Sequence, residues 1–329
     1  MHIQDLMKVA ERDRDLHWLK QSLGSAIELE LATLPPYLTA LWSIKAGWGP
    51  AMAQIVAVVK EEMLHMVLAG NMLRSIGGRV KLVGPSYPGH LPGNVLPGLL
   101  VPLVKLSKQS LLDVFMAIEQ PVQGPQVIFG GEYYTSIGGF YDAILACFET
   151  LQPEQTSEGQ LSGVVGGHAF GPVDTLDKVR FAITEIKEQG EGTPHSPLTD
   201  PKFGTELSHY YRFAEVYHGR KLIKVEGEWR YAGEAIPMPP VFDMAPVPKG
   251  GYPNGPAELT AFNEAYGKAL DDLEAAWAET DANKARALFG YAVEAMYGLQ
   301  RPAQALMQMR IPHFEGNYGP DWRPIRSNN

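Results

Sequence analysis

Two short patterns place carboxylates and imidazoles where one metal ion could use both. Glu62 and His65 stand three residues apart, and Glu206 and His209 repeat the spacing. On a helix, residues i and i+3 share a face, so each pair can turn both side chains toward one point. The first pair sits in revealing company. Ile55, Val58, Ala69, Met72 and Ile76 recur at helical spacing, and only Glu62 and His65 interrupt their stripe. A second stripe runs through Leu23, Ile27, Leu34, Leu38 and Leu41; Glu30 falls inside it, whereas Glu28 falls beside Gln21, Gly24 and Ser25. A bare carboxylate in an apolar seam is costly unless it is protonated, paired or bound to a cation. A helix bundle with Glu-x-x-His on two helices and a single Glu on two others is the arrangement that holds a pair of iron or manganese ions.

The second single Glu should lie near the C-terminus of the helix preceding His209, if those two helices run antiparallel. Glu191 is there, and Gly190 and Gly192 beside it would let the backbone turn it inward. The expected ligands are therefore Glu30, Glu62, His65, Glu191, Glu206 and His209. Glu119 is the rival ligand, because Leu112, Phe115 and Met116 make its surroundings apolar; it could instead hydrogen-bond a ligating histidine from outside. Tyr37, two turns beyond Glu30, points along the same seam. Glu28 and Glu61 are neighbours of ligands or plain surface charges, and Glu185 and Glu188 fall on a solvated face. Taken alone, Glu206 and His209 would more often be a surface pair than ligands. His2, His17, His90, His168, His195, His218 and His313 sit in loops, in the tail or on helix edges, away from any ligand pattern. No single catalytic side chain is assigned, since the chemistry is expected at the metals.

The helices that must position these groups can be drawn from periodicity and punctuation. The first runs from Asp15 to about Ala46, with a kink expected at Pro35-Pro36. The second starts at Pro50 and ends near Ile76, before Gly77-Gly78. Residues 79–108 carry no sustained period and should cross the bundle surface. Helices follow at 110–119, 136–151, 174–190, 205–218, 256–280 and 282–309, with loops at 121–134 and 152–173 and one short strand-like piece near Glu228–Tyr231. The fold class is all-α, a helical bundle of residues 1–220 with long loops and a C-terminal extension of two helices, 221–329, packed on it as one unit.

The runs Ala26–Leu38 and Glu61–Met66, followed by Asn71 and Gly77-Gly78, resemble the ferritin-like domain of the iminophenyl-pyruvate dimer synthase family, which occurs in violacein- and rebeccamycin-pathway enzymes and in stand-alone bacterial proteins. Weaker similarity continues through Phe115–Glu119, Ser136–Tyr141, Gln189–Gly192 and Ser208–Phe213, so residues 15 to about 220 are covered. The chain departs at Gly139, where the family often has a carboxylate or another polar residue. The resemblance implies a ferritin-like bundle and oxidative chemistry on a small, amino-acid-derived aromatic metabolite, with imine coupling as one precedent.

A chain of 329 residues with 45% apolar content can bury a substantial core. Its net charge of -9 argues against nucleic acid as a partner. The single cysteine, Cys147, forms no disulfide within the chain and suits a reducing cytoplasm. No signal peptide or membrane-length apolar run is evident. The functional expectation is a non-haem di-iron oxidase or oxygenase, with manganese as the other metal compatible with the ligands. Its partners would be a small-molecule substrate and dioxygen or peroxide, with a homo-oligomer left open. Phe129, Tyr133, Tyr134, Phe140, Tyr141, Tyr210 and Tyr211 are candidates to line a pocket. The alternatives are a ferroxidase or iron-storage protein and a relative that has lost catalysis.

Overall fold

The computed structural model describes residues 3–326 except 46, 48, 97, 122–125, 130, 131, 194 and 195, with backbone alone at 126–129 and 132–135. His2, His195 and the side chains of Phe129, Tyr133 and Tyr134 thus lie outside the described residues. A short helix α1 (Ile3–Met7), absent from the sequence reading, precedes α2 (Leu16–Trp42), which the Asp15 carboxylate caps by accepting Trp18 N–H at 2.8 Å. Helix α2 continues unbroken through Pro35 and Pro36. Pro36 has no N–H to offer the Ala32 carbonyl, and the Tyr87 hydroxyl supplies the missing donor at 2.6 Å. The helix stops at Trp42, four residues short of the expected end.

Helix α3 (Pro50–Ser75) begins on a proline and packs along α2. The described residues of 79–107 then cross the surface without helix or strand apart from one turn at Pro92–Asn94. The next helix is irregular: α4 (Lys108–Ser110) opens into a π-helical stretch, Leu111–Phe115, and closes as α5 (Met116–Ile118), with Glu119 at its end. Such a bulge turns the last residues of a helix to a new bearing.

Three stretches read as loop or near-loop contain hairpins instead. They are β1–β2 (Gln126–Phe129, Glu132–Thr135), β3–β4 (Gly163–Val165, His168–Phe170) and β5–β6 (Arg220–Val225, Glu228–Ala235), each antiparallel. Gly166-Gly167 and Glu226-Gly227 turn the last two at positive φ, which is the two-residue hairpin geometry. Only the part of β6 at Glu228–Tyr231 was legible beforehand; the strands of the first two hairpins are three or four residues long, too short to establish an alternation, and β5 is interrupted by charge.

Helices α6 (Ile137–Leu151), α7 (Leu176–Gly190) and α8 (His209–His218) complete the bundle around α2 and α3. Helix α8 starts at His209, not at 205. Gly204 and Thr205 both have positive φ, and Glu206 N–H bonds Thr199 Oγ1, so the chain there is a turn. Beyond it, α9 (Ala257–Ala278) pairs with α10 (Ala282–Gly298), and α11 (Gln300–Leu306) breaks off from α10 to lie on α9 and α2. Among the described residues no helix is long and apolar enough to cross a membrane.

The C-terminal helices meet the bundle at Gly70. Trp277 Nε1–H donates to Asn71 Oδ1 at 3.2 Å, and a Cβ on Gly70 would fall 2.4 Å from the indole. We predict that Gly70→Ala destabilises the protein by about 1–3 kcal/mol, the usual cost of overpacking. Denaturant midpoints read it; an unchanged midpoint would mean that Trp277 withdraws freely and that this contact does not fix the extension.

Candidate metal centre

The bundle helices bring five side chains into two buried groups that share one carboxylate. Glu30, Glu62 and His65 form the first, and Glu62, Glu119 and His209 the second. Glu30 comes from the middle of α2, Glu62 and His65 from one face of α3, Glu119 from the end of α5, and His209 from the first turn of α8. All five are buried, with His209 at 0% and His65 at 1% exposure.

The hydrogen bonds around them follow one rule. Every carboxylate has one oxygen held by a neutral hydroxyl and the other turned toward an imidazole. Tyr141 OH donates to Glu30 Oε1, Thr33 Oγ1 donates to Glu62 Oε2 at 2.6 Å, and Tyr37 OH donates to Glu119 Oε1 at 2.5 Å. The free oxygens face inward: Glu30 Oε2 and Glu62 Oε1 lie 3.8 and 3.9 Å from His65 Nδ1. Glu62 Oε1 and Glu119 Oε2 lie 2.8 and 3.5 Å from His209 Nδ1.

Both imidazoles are oriented from behind through their other nitrogen. His65 Nε2 is 2.8 Å from Gln189 Oε1, an acceptor, and so carries its hydrogen there. His209 Nε2 is 3.0 Å from Glu61 Oε2, and Glu61 is held in turn by Arg212 Nη2 at 3.2 Å. Those partners fix the tautomer and leave Nδ1 of both rings aimed inward. The buried Nδ1 of His209 makes no hydrogen bond despite its short approach to Glu62. Two nitrogen lone pairs facing three carboxylate oxygens is an arrangement that protons satisfy poorly and cations satisfy well. The donor set fits two first-row metal ions, which the two groups would hold, with Glu62 common to both.

The remaining expected residues lie elsewhere. Glu206 is about half exposed, precedes α8 and pairs with Arg212, so it joins neither group. The spacing that suggested it holds only if one helix carries both residues. Glu191 stands at the rim of the central cavity, where its Oε1 accepts Gly138 N–H at 2.8 Å, and it also lies outside both groups. Glu28 is half-buried outside the centre, while Glu61, an ambiguous neighbour in the sequence, is the buried partner of His209. Gln189 carried no signal, because an isolated amide on a surface-patterned helix has no distinguishing spacing. Tyr141 is the one aromatic pocket candidate that lines the cavity among those whose side chains are described; Phe140 is core, and Tyr210 and Tyr211 meet edge to face. Gly139 donates its N–H to the Ser136 cap of α6.

Charge in the metal-free cluster must be balanced by protons. Burial, reinforced by the Glu119 carboxylate, pushes Glu62 up to about 7. Burial opposes charge on His209 as well, but the negative charge of Glu119 and the bond to Glu61 outweigh it and hold that ring well above its ordinary value. His65 is raised too, against burial, by Glu30 and Glu62. Glu61 is lowered despite burial by His209 and Arg212, and stays ionised. For the raised groups the sign is common: the protonated form is stabilised by folding, so stability is full at low pH and is lost as pH rises through the folded-state values. We predict that chelator-treated protein loses roughly 1–3 kcal/mol between pH 5.5 and 8, whereas metal-loaded protein does not, because cations replace the protons. Urea unfolding at both pH values checks this; equal slopes for the two forms would contradict it.

Beside the centre is a cavity of about 30 Å³ lined by Leu29, Ile118, Gly138 and Ile186, with the partly exposed Ile137, Lys187 and Glu191 marking its mouth. That volume takes a water or a diatomic ligand and no aromatic molecule.

A ferritin-like family profile matches residues 23–218, which contain both groups. Dichlorochromopyrrolate synthase of Lentzea aerocolonigenes is 25% identical over 88% of this chain, and the chain spans 34% of that protein's length. The crystal structure of a ferritin-like protein from Caulobacter vibrioides, 22% identical, superposes with a TM-score of 0.66 over 95% of this chain and 99% of its own. That superposition shows the fold. With the profile spanning more than half of the sequence and the carboxylate helices arranged as described, the chain belongs to the ferritin-like family.

Proposed function

We propose that this protein is a non-haem di-iron oxidase or oxygenase that acts on a small, amino-acid-derived aromatic metabolite in secondary metabolism. The observation that carries the reading is the pair of inward imidazole Nδ1 atoms facing three carboxylate oxygens. Similarity to a dichlorochromopyrrolate synthase supports the metabolite class. Glu30, Glu62, His65, Glu119 and His209 would hold the ions, which when bound supply redox chemistry toward dioxygen or peroxide. The chain's own groups do the rest. Tyr37, Tyr141 and Thr33 hold the outer carboxylate oxygens so that the inner ones stay directed at the ions. Leu29, Ile118, Ile137 and Ile186 keep bulk water out. Glu191, which burial pushes up to about 7, holds a proton at the mouth and can exchange it with solvent near neutrality. The organic molecule would sit outside that mouth, against Ile137 and Gly138.

The narrow cavity also favours a second reading, in which iron itself is the only substrate and the protein is a ferroxidase. Aerobic addition of excess ferrous iron separates them. An oxidase takes up about two iron ions per chain, as two three-residue groups allow, and then passes oxidising equivalents to an added aromatic amino-acid derivative. Continued uptake with a ferric mineral inside a multi-subunit shell would sink the enzyme reading.

A further inference from the structure

A second cavity, about 430 Å³, opens on the faces of α2 and α3 that point away from the carboxylates. Its lining shares no residue with the central cavity. The walls are Trp42 and Leu38 of α2, Val56 and Met63 of α3, and Met296 of α10, with Lys60, Tyr297 and Gln300 supplying the polar groups. A mostly apolar recess of this volume with a few polar groups is the usual form of a small-molecule site. Met63 and Met296 also border a further void of about 20 Å³, so the floor can yield to a longer guest.

Lys60 sets the chemistry. Its ammonium has no carboxylate partner among the described residues, although the chain carries a net charge of -9. Its stem is laid against the β3–β4 turn: a Cβ on Gly166, where φ is +64°, would be 2.4 Å from Lys60 Cβ and 2.6 Å from Cγ. That packing holds an unpaired cation at the edge of an apolar recess. The complementary guest has one negative head and an apolar body.

We propose that this groove binds a small carboxylate with an apolar body, aliphatic or aromatic, its head on Lys60 and its body against Trp42 and the methionines. The test titrates metal-loaded protein with octanoate, 3-phenylpropanoate and uncharged 1-octanol, read by calorimetry and by methyl spectra of labelled methionine. One equivalent of at least one carboxylate should bind saturably and shift Met63 and Met296; the tighter of the two tells an aliphatic guest from an aromatic one. Lys60→Gln should weaken the carboxylate about tenfold, as loss of a charge-assisted pair does, and leave octanol unchanged. Val56→Trp, shown folded by circular dichroism, should abolish both. Carboxylate affinity indifferent to Lys60, no preference over octanol, or no saturable binding would overturn the proposal. So would sedimentation showing a dimer that Val56→Trp converts to monomer, since a second copy would then fill the groove.

Discussion

Exchanging Glu62 for alanine is expected to empty both metal positions, whereas His65→Ala empties one and His209→Ala the other. The difference follows from the geometry, because Glu62 Oε1 faces both imidazoles and each imidazole serves one group. Protein reconstituted anaerobically with ferrous iron and passed through a desalting column should retain almost no iron in the first variant and about half the native amount in the others. Losing one inner ligand typically costs well over tenfold in affinity, since the effect of even an outer partner is on the order of 10–100-fold. Circular dichroism should show all three still helical. The metal-free Glu62→Ala protein should be more stable than the metal-free native one at pH 8, where a carboxylate raised to about 7 is ionised against burial and the neighbouring Glu119 charge. Full iron occupancy in the Glu62 variant would end the two-ion reading.

A contrast between two glutamates has the next largest expected effect. Glu119→Gln should release the ion held with His209, because an amide cannot replace the inward Oε2 as an anionic donor. Glu206→Gln should leave both ions in place, since that carboxylate is half exposed and paired to Arg212. It should loosen the turn before α8 by no more than about 1 kcal/mol, in keeping with an exposed ion pair. Iron content measured side by side decides the matter. Retention in the Glu119 variant with loss in the Glu206 variant would mean that the turn folds inward when metal binds and that the sequence pattern named the true ligand.

How much could be read beforehand depended on how each residue was carried. Glu30, Glu62 and His65 interrupt apolar stripes on long regular helices, and periodicity alone marks such interruptions. Helix α8 obeyed no such rule at its start, so Glu206 looked like half of a helical pair when it belongs to a turn. Glu119 was visible only as a rival, because the π-helical stretch before it shifts the bearing of the last residues and spoils any count by 3.6. The partners that orient the rings, Glu61 and Gln189, sit one position from residues facing another way; their role depends on which helix packs against them, and a linear pattern does not contain that. The all-α class was legible from helix punctuation, whereas the first two hairpins have strands of three or four residues, too short to show a period of two, and the third was legible only at Glu228–Tyr231.

The C-terminal tail has a consequence for the order in which the molecule can be completed. Trp322 is fully buried, stacks on Trp42 and donates its indole N–H to Thr39 at 2.8 Å, across a separation of 283 residues. Thr39 belongs to the same helix as Glu30 and Tyr37. On a ribosome, the helix that carries the first carboxylate is made long before residue 322, which supplies one of its coverings. Contacts of such long separation form late, after loop closure has been overcome. Until residue 322 is made, the Thr39–Trp42 end of that helix keeps an apolar flank uncovered. A nascent chain halted near residue 218 would contain every candidate ligand and still lack the Trp322 cover over the far end of α2.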